Sequence, residues 1–95
     1  MGSVIKGPGG AVYFANPGNK THRSTGVIRK SASGREWSGA GVTQKTVWPG
    51  EYGYSCLTNM PTAATVGLLW ETDGPQCKAG SASCRCVFTA FPAAL

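Results

Sequence analysis

Charge is scarce in this 95-residue chain: only 14% of its residues are Asp, Glu, Lys or Arg, against roughly 25% in an average soluble protein. A chain that stays disordered combines high charge with few aromatics. This one has three each of Trp, Tyr and Phe and little charge, so a folded chain is expected. No apolar run approaches the ~20 residues that a membrane-spanning helix needs, and no transmembrane segment is expected. The start, Met1 to Pro8, lacks a charged stretch followed by an apolar one, so no secretory signal is expected either. Sustained 3.6-residue periodicity is missing throughout, which argues against long helices.

The basic residues outnumber the acidic ones by nine to four, a net charge of +5, and such a surplus favours an acidic partner. Lys6, Lys20, Arg23, Arg29, Lys30, Arg35, Lys45, Lys78 and Arg85 are nevertheless dispersed. They form no long basic run, and no helix-turn-helix or zinc-finger spacing accompanies them, so no nucleic-acid partner is expected. The four cysteines, Cys56, Cys77, Cys84 and Cys86, are spaced C-x20-C-x6-C-x-C. Zinc sites want two close pairs, so no metal is expected. A disulfide from Cys77 to Cys84 or to Cys86, or free thiols throughout, both remain open.

Glycine and proline supply fourteen and six residues, about a fifth of the chain, so turns are frequent. Between them lie short segments with strand character. Val12 to Ala15 reads as a buried strand, stopped by Asn16-Pro17-Gly18-Asn19. Thr25 to Lys30 and Val42 to Trp48 alternate, and Pro49-Gly50-Glu51 is expected to break the second. Tyr52 to Thr58, Val66 to Trp70 and Arg85 to Phe91 follow, with Val66 to Trp70 apolar enough for burial on both faces. Six or seven such strands, 8 to 15 residues apart, predict an all-β chain of antiparallel hairpins: a sandwich, a small barrel or propeller blades. A chain so short and so rich in glycine and proline has few apolar side chains for an independent core, and packing against further sheet would favour it.

Three local patterns occur in one order. They are Ala15-Asn16-Pro17 followed by Arg23, then Tyr52-Gly53-Tyr54-Ser55-Cys56-Leu57, then Val66-Gly67-Leu68-Leu69-Trp70-Glu71. In these, and in Gly2-Ser3-Val4-Ile5, Ser31 to Trp37 and Val87-Phe88-Thr89-Ala90-Phe91, the chain resembles the C-terminal part of the exo-α-sialidases, whose catalytic domain is a six-bladed β-propeller. Each motif is weak alone; the ordered set covers nearly the whole chain. The resemblance implies that residues 1–95 form the last one to two blades, an incomplete piece of one domain.

The residue types suit the chemistry. Sialic acid carries a carboxylate on its anomeric carbon, and an arginine can meet it bidentately while staying ionised at any working pH. By resemblance, Arg23 is the last of three arginines that hold this group. A carboxylate nucleophile would be repelled by that anion, and sialidases use tyrosine instead; by resemblance, Tyr54 is the nucleophile. Free tyrosine has a pKa of about 10, so ionising it at neutral pH costs about 4 kcal/mol and a base must help. In the family that base is a glutamate outside the region represented here, as are the acid/base aspartate and the other two arginines. Glu71, at the end of a Leu-Leu-Trp strand, matches the glutamate that positions a triad arginine. The resemblance thus implies a retaining glycoside hydrolase acting on sialylated glycans without metal or cofactor, with these 95 residues inactive by themselves.

Other readings of the same residues stand beside these. The alternative reading of Arg23 is a loop cation, of Glu71 a solvent-facing strand end, and of Tyr54 a core aromatic beside Tyr52, its rival, although the following Ser55 and Leu57 favour Tyr54; His22 and Asp73 read as loop residues. The family's Asp box, S-x-D-x-G-x-x-W, aligns on Gly34 and Trp37 but puts Lys30 and Ala32 at its serine and aspartate. Its turn is expected to persist, with the side-chain hydrogen bonds lost or taken over by Ser31 and Ser33. Cys56 follows Tyr54-Ser55 where the family more often has aspartate, and the insert from Thr72 to Ser83 is long for it. Two other classes compete: a non-catalytic β-rich module binding a carbohydrate or an anion, and a small secreted protein stapled by disulfides.

Overall fold

Burial alternates along β1 (Ser3–Lys6), β2 (Val12–Pro17) and β7 (Arg85–Pro92), and the strands pair into two stacked antiparallel sheets. The computed structural model describes residues 2–61, 64–72 and 85–95. Its strands are β1 (Ser3–Lys6), β2 (Val12–Pro17), β3 (Ser24–Ser31), β4 (Val42–Glu51), β5 (Ser55–Asn59), β6 (Thr65–Thr72) and β7 (Arg85–Pro92). The first sheet runs β1-β2-β3-β4 and the second β5-β6-β7, so each is a meander of sequential neighbours. A single 3-10 turn, Pro8–Gly10, is the one helical element among the described residues. The chain is all-β, and the two sheets are compatible with one whole propeller blade and part of another.

Two local readings change, and one strand is added to those read from the sequence. β1 is too short to show a period of its own; it exists because the turn after it returns β2 alongside, with Gly9 and Gly10 at φ 70° and 81°. Such positive φ is the conformation glycine tolerates without cost. Pro49 does not end β4, which continues until Glu51 pairs with Ser24. β4 is an edge strand of its sheet, where a residue without an N–H forfeits no ladder bond. The fifth strand begins at Ser55, not Tyr52, because the Tyr52 amide leaves the β5–β6 ladder and is donated to Arg23 O at 2.8 Å.

The inner faces meet in one core. Tyr13, Ala15 and Ile28 from the first sheet pack with Leu57, Val66, Leu68, Trp70 and Phe91 from the second. Tyr13 is fully buried and donates its hydroxyl to Ala93 O at 3.0 Å, tying β2 to the segment after β7. Leu69 departs from the expectation of burial on both faces: it is 46% exposed, whereas Val66 and Leu68 are fully buried. Only one face of β6 is covered, and Leu69 points to the other with its neighbour Phe88.

The sheets approach most closely along their first strands. Leu57 N donates to Ser3 Oγ at 2.9 Å, and Asn59 Nδ2 donates to Lys6 O at 3.1 Å. Toward the last strands the gap is spanned by long side chains. Trp48 meets Trp70 at 6.1 Å, and the Lys45 ammonium lies 5.8 Å from the Phe91 ring centre. The two sheets therefore form a wedge with its narrow edge at β1 and β5.

The turn aligned with the Asp box is kept, with different atoms. Ser31 Oγ donates to Glu36 O at 2.6 Å and accepts from Gly34 N at 3.0 Å, while Ser33 Oγ accepts from Arg35 N. Gly34 lies at φ 76°. Ser31 and Ser33 thus supply the hydrogen bonds, and Trp37 packs edge-on against Phe14 at 5.8 Å.

A candidate functional site around Tyr54

The three residues singled out in the sequence lie on three different segments. Arg23 ends the loop between β2 and β3, Tyr54 immediately precedes β5, and Glu71 is the penultimate residue of β6. The loop before Arg23 is shaped locally: Asn19 Oδ1 accepts from Thr21 N (2.9 Å) and His22 N (3.2 Å), an Asx-type turn. His22 itself is exposed in that loop. Just after Arg23 the β3–β4 pairing slips around Thr25, which holds φ 58°. Bulges of this kind re-aim the neighbouring side chains.

Backbone bonds then bring the segments together. Arg23 O accepts from Tyr52 N, and Tyr54 O accepts from Glu71 N at 3.1 Å, extending the β5–β6 ladder past Ser55. Glu71 Oε1 accepts from Tyr54 N at 3.1 Å. Above these bonds the Arg23 guanidinium lies 5.4 Å from the Tyr54 ring centre. Arg23, Tyr54 and Glu71 are therefore one cluster. The bond found for Glu71 runs to the Tyr54 backbone, so its carboxylate positions the tyrosine segment directly.

Tyr52 and Tyr54 part company. Tyr54 is 59% exposed, whereas Tyr52 is 1% exposed. The Tyr52 ring stacks on Trp70 at 5.5 Å, and a Cβ on Gly26 would lie 2.2 Å from it. Of the two, Tyr52 is the core aromatic and only Tyr54 offers its phenol to a ligand. Burial pushes the Tyr52 phenol above its ordinary pKa, and the adjacent Ser55 hydroxyl partly offsets this. Proximity does not produce a well-aligned bond there: the Tyr52 and Ser55 hydroxyls are both buried without a hydrogen-bond partner among the described residues.

A shallow cavity of about 180 Å³ adjoins the cluster, lined by Tyr54, Leu69, Glu71, Cys56 and Cys86 among others. Cys56 and Cys86 are exposed free thiols, and no group of three metal-ligating side chains occurs among the described residues. Cys77, Cys84 and Asp73 lie outside the described residues, as does most of the long insert. The nearness of Cys86 to the cluster was not foreseen. It follows from the pairing of Cys86 with Glu71, which a register across that insert decides and local sequence does not.

The chain matches no family model and no curated protein sequence.

Proposed function

We propose that this chain is the C-terminal part of an exo-α-sialidase, a retaining glycoside hydrolase that removes terminal sialic acid from glycoconjugates. The observation that carries the reading is the convergence of Arg23, Tyr54 and Glu71, which the sequence separates and the fold assembles. A four-stranded meander followed by a three-stranded one, converging on their first strands, adds architectural support.

In this reading Arg23 binds the sialic acid carboxylate through its guanidinium. Tyr54 Oη attacks the anomeric carbon as the bond to the leaving oxygen breaks, giving a glycosyl-tyrosine that water later hydrolyses. Glu71 holds the Tyr54 segment through the amide. The acid for the leaving group, the base for the Tyr54 proton and two further arginines come from the rest of the propeller, and the 95 residues alone do not turn over.

The test is the intact mass of the native gene product, followed by Tyr54→Phe in that product. A species several times larger than 9.8 kDa that releases sialic acid and loses turnover in the variant is expected. A stable native species of 9.8 kDa, or undiminished turnover in Tyr54→Phe, would overturn the reading and leave a non-catalytic carbohydrate- or anion-binding module.

A further inference from the structure

Two residues other than glycine hold a positive φ among the described residues, Ala64 at 63° and Thr25 at 58°. Ala64 stands in the turn before β6. Thr25 lies inside β3. A β-branched residue in this conformation is an outlier, because its Cβ crowds the following carbonyl.

The hydrogen bonds around Thr25 show what the conformation does. In a regular antiparallel strand, successive carbonyls point to opposite edges. Arg23 O and Ser24 O keep that rule, accepting from Tyr52 N at 2.8 Å and from Asn19 N at 3.4 Å. Thr25 O breaks it, accepting from Gly18 N at 2.7 Å on the same side as Ser24 O. On the other edge, four residues of β3 (Ser24 to Val27) face six of β4 (Thr46 to Glu51). Extra residues bend the strand that carries them, and the chain leaves β4 here for Tyr52 and β5. Gly26, next after Thr25, has the Tyr52 ring packed against it. Both ends of the Thr25 turn are therefore held.

The Arg23 guanidinium makes no hydrogen bond or ion pair among the described residues; its contact is the Tyr54 ring. Its place thus comes from its backbone. A one-residue break in alternation carries the side chains beyond it to the opposite face. With β3 fixed from Gly26 onward, an extended Thr25 would turn Arg23 to the face away from Tyr54.

We propose that Thr25 is the positioning residue of this cluster: its left-handed backbone decides that Arg23 stands beside Tyr54, with the guanidinium N–H groups free for an anionic ligand. Thr25 touches no ligand and acts through Arg23. The inference rests on the backbone of β3 and not on sialoside chemistry, so undiminished turnover in Tyr54→Phe would leave it standing.

NMR of the 95-residue chain tests it. The Tyr54 ring current should move the Arg23 side-chain protons upfield, with Tyr54→Leu marking the position without the ring. Thr25→Gly takes a positive φ without steric cost and should keep the shift. Thr25→Pro, with φ fixed at about −65°, should fold by circular dichroism and lose it. If that variant does not fold, Gly18→Ala replaces it: the added Cβ would stand 3.1 Å from Thr25 O and press on the same peptide, and the shift should shrink. Urea unfolding reads the strain itself. Thr25→Gly should unfold at higher urea than Thr25→Ala, the reverse of the order in an extended strand. No upfield shift in the parent chain overturns the inference, as does a shift lost in Thr25→Gly. A full shift in Thr25→Pro, or in Gly18→Ala where that stands in, overturns it too. So does a Thr25→Ala variant at least as stable as Thr25→Gly, since residue 25 would then be extended in solution.

Discussion

The Arg23 guanidinium lies 5.4 Å from the centre of the Tyr54 ring, although β3 and β4 separate the two residues in the chain. The contact places the cation on an exposed aromatic face, where such pairs contribute about 0.5–1 kcal/mol. It holds a positive charge beside the phenol more than it stabilises the fold.

Arg23→Ala is therefore expected to leave thermal stability within about 1 kcal/mol of the parent while shifting the Tyr54 ring resonances in an NMR spectrum. Unchanged Tyr54 resonances would mean that the two side chains do not associate in solution.

Two glycines beside the cluster should respond differently to the same substitution. A Cβ on Gly53 would meet Glu71 Oε1 at 2.6 Å, the mobile end of a side chain. Gly53→Ala should displace the carboxylate from the Tyr54 amide at a stability cost of about 1 kcal/mol or less. A Cβ on Gly26 would meet the buried Tyr52 ring at 2.2 to 2.6 Å, with Trp70 stacked against that ring. Gly26→Ala should cost about 3 kcal/mol or more, or prevent folding. Denaturant unfolding of both variants measures the order, and equal losses would contradict it.

The turn between β3 and β4 depends on one hydroxyl. Ser31 Oγ both donates to Glu36 O and accepts from Gly34 N, and the side chain is buried. Ser31→Ala is expected to cost about 1–3 kcal/mol by leaving those groups unpaired, and amide exchange around Gly34 should quicken. Ser33→Ala, whose bond to Arg35 N is exposed, should stay within about 0.5 kcal/mol.

Alkaline pH should find Tyr52. Burial raises its pKa in the folded chain, so folding favours the neutral phenol. Its contribution is constant below the unfolded value of about 10 and is lost as pH climbs from there through the raised folded value. Tyr52→Phe should flatten the loss of stability above about pH 10. It should cost little at neutral pH, because the hydroxyl it removes is buried without a partner. Tyr13, also raised by burial, keeps a residual slope. A pH profile as steep as that of the parent would exclude the assignment.

Adjacent leucines provide the sharpest contrast in the core. Leu68 is fully buried and Leu69 is 46% exposed. Leu68→Ala should cost about 2–5 kcal/mol and Leu69→Ala about 0.5 kcal/mol or less in the monomer, read from chemical denaturation at low protein concentration.

Local order in the sequence was enough for strand character, for turns such as that after Pro17 and for an all-β chain, because period-two alternation and the dihedral demands of Gly, Pro and Asn act over a few residues; it was not enough at Pro49, which stays inside β4. The turn at Ser31 to Trp37 was legible for the same reason, while its side-chain bonds, lost or supplied by Ser31 and Ser33, were decided by the structure. The sequence also named Arg23, Tyr54 and Glu71 as candidates. It left open whether they meet and which of Tyr52 and Tyr54 is buried, and it misjudged Leu69. Alternation shows which side chains share a face; it says nothing about which face another sheet covers. That is settled by contacts between residues far apart in the chain: Tyr52 N on Arg23 O, Leu57 N on Ser3 Oγ, Tyr13 Oη on Ala93 O. Stacking of the two sheets buries Tyr52 between Gly26 and Trp70 and turns Tyr54 outward beside Arg23; two residues apart on a regular strand they would share a face, but both lie before β5, where the Tyr52 amide bonds to Arg23 O instead of a ladder partner.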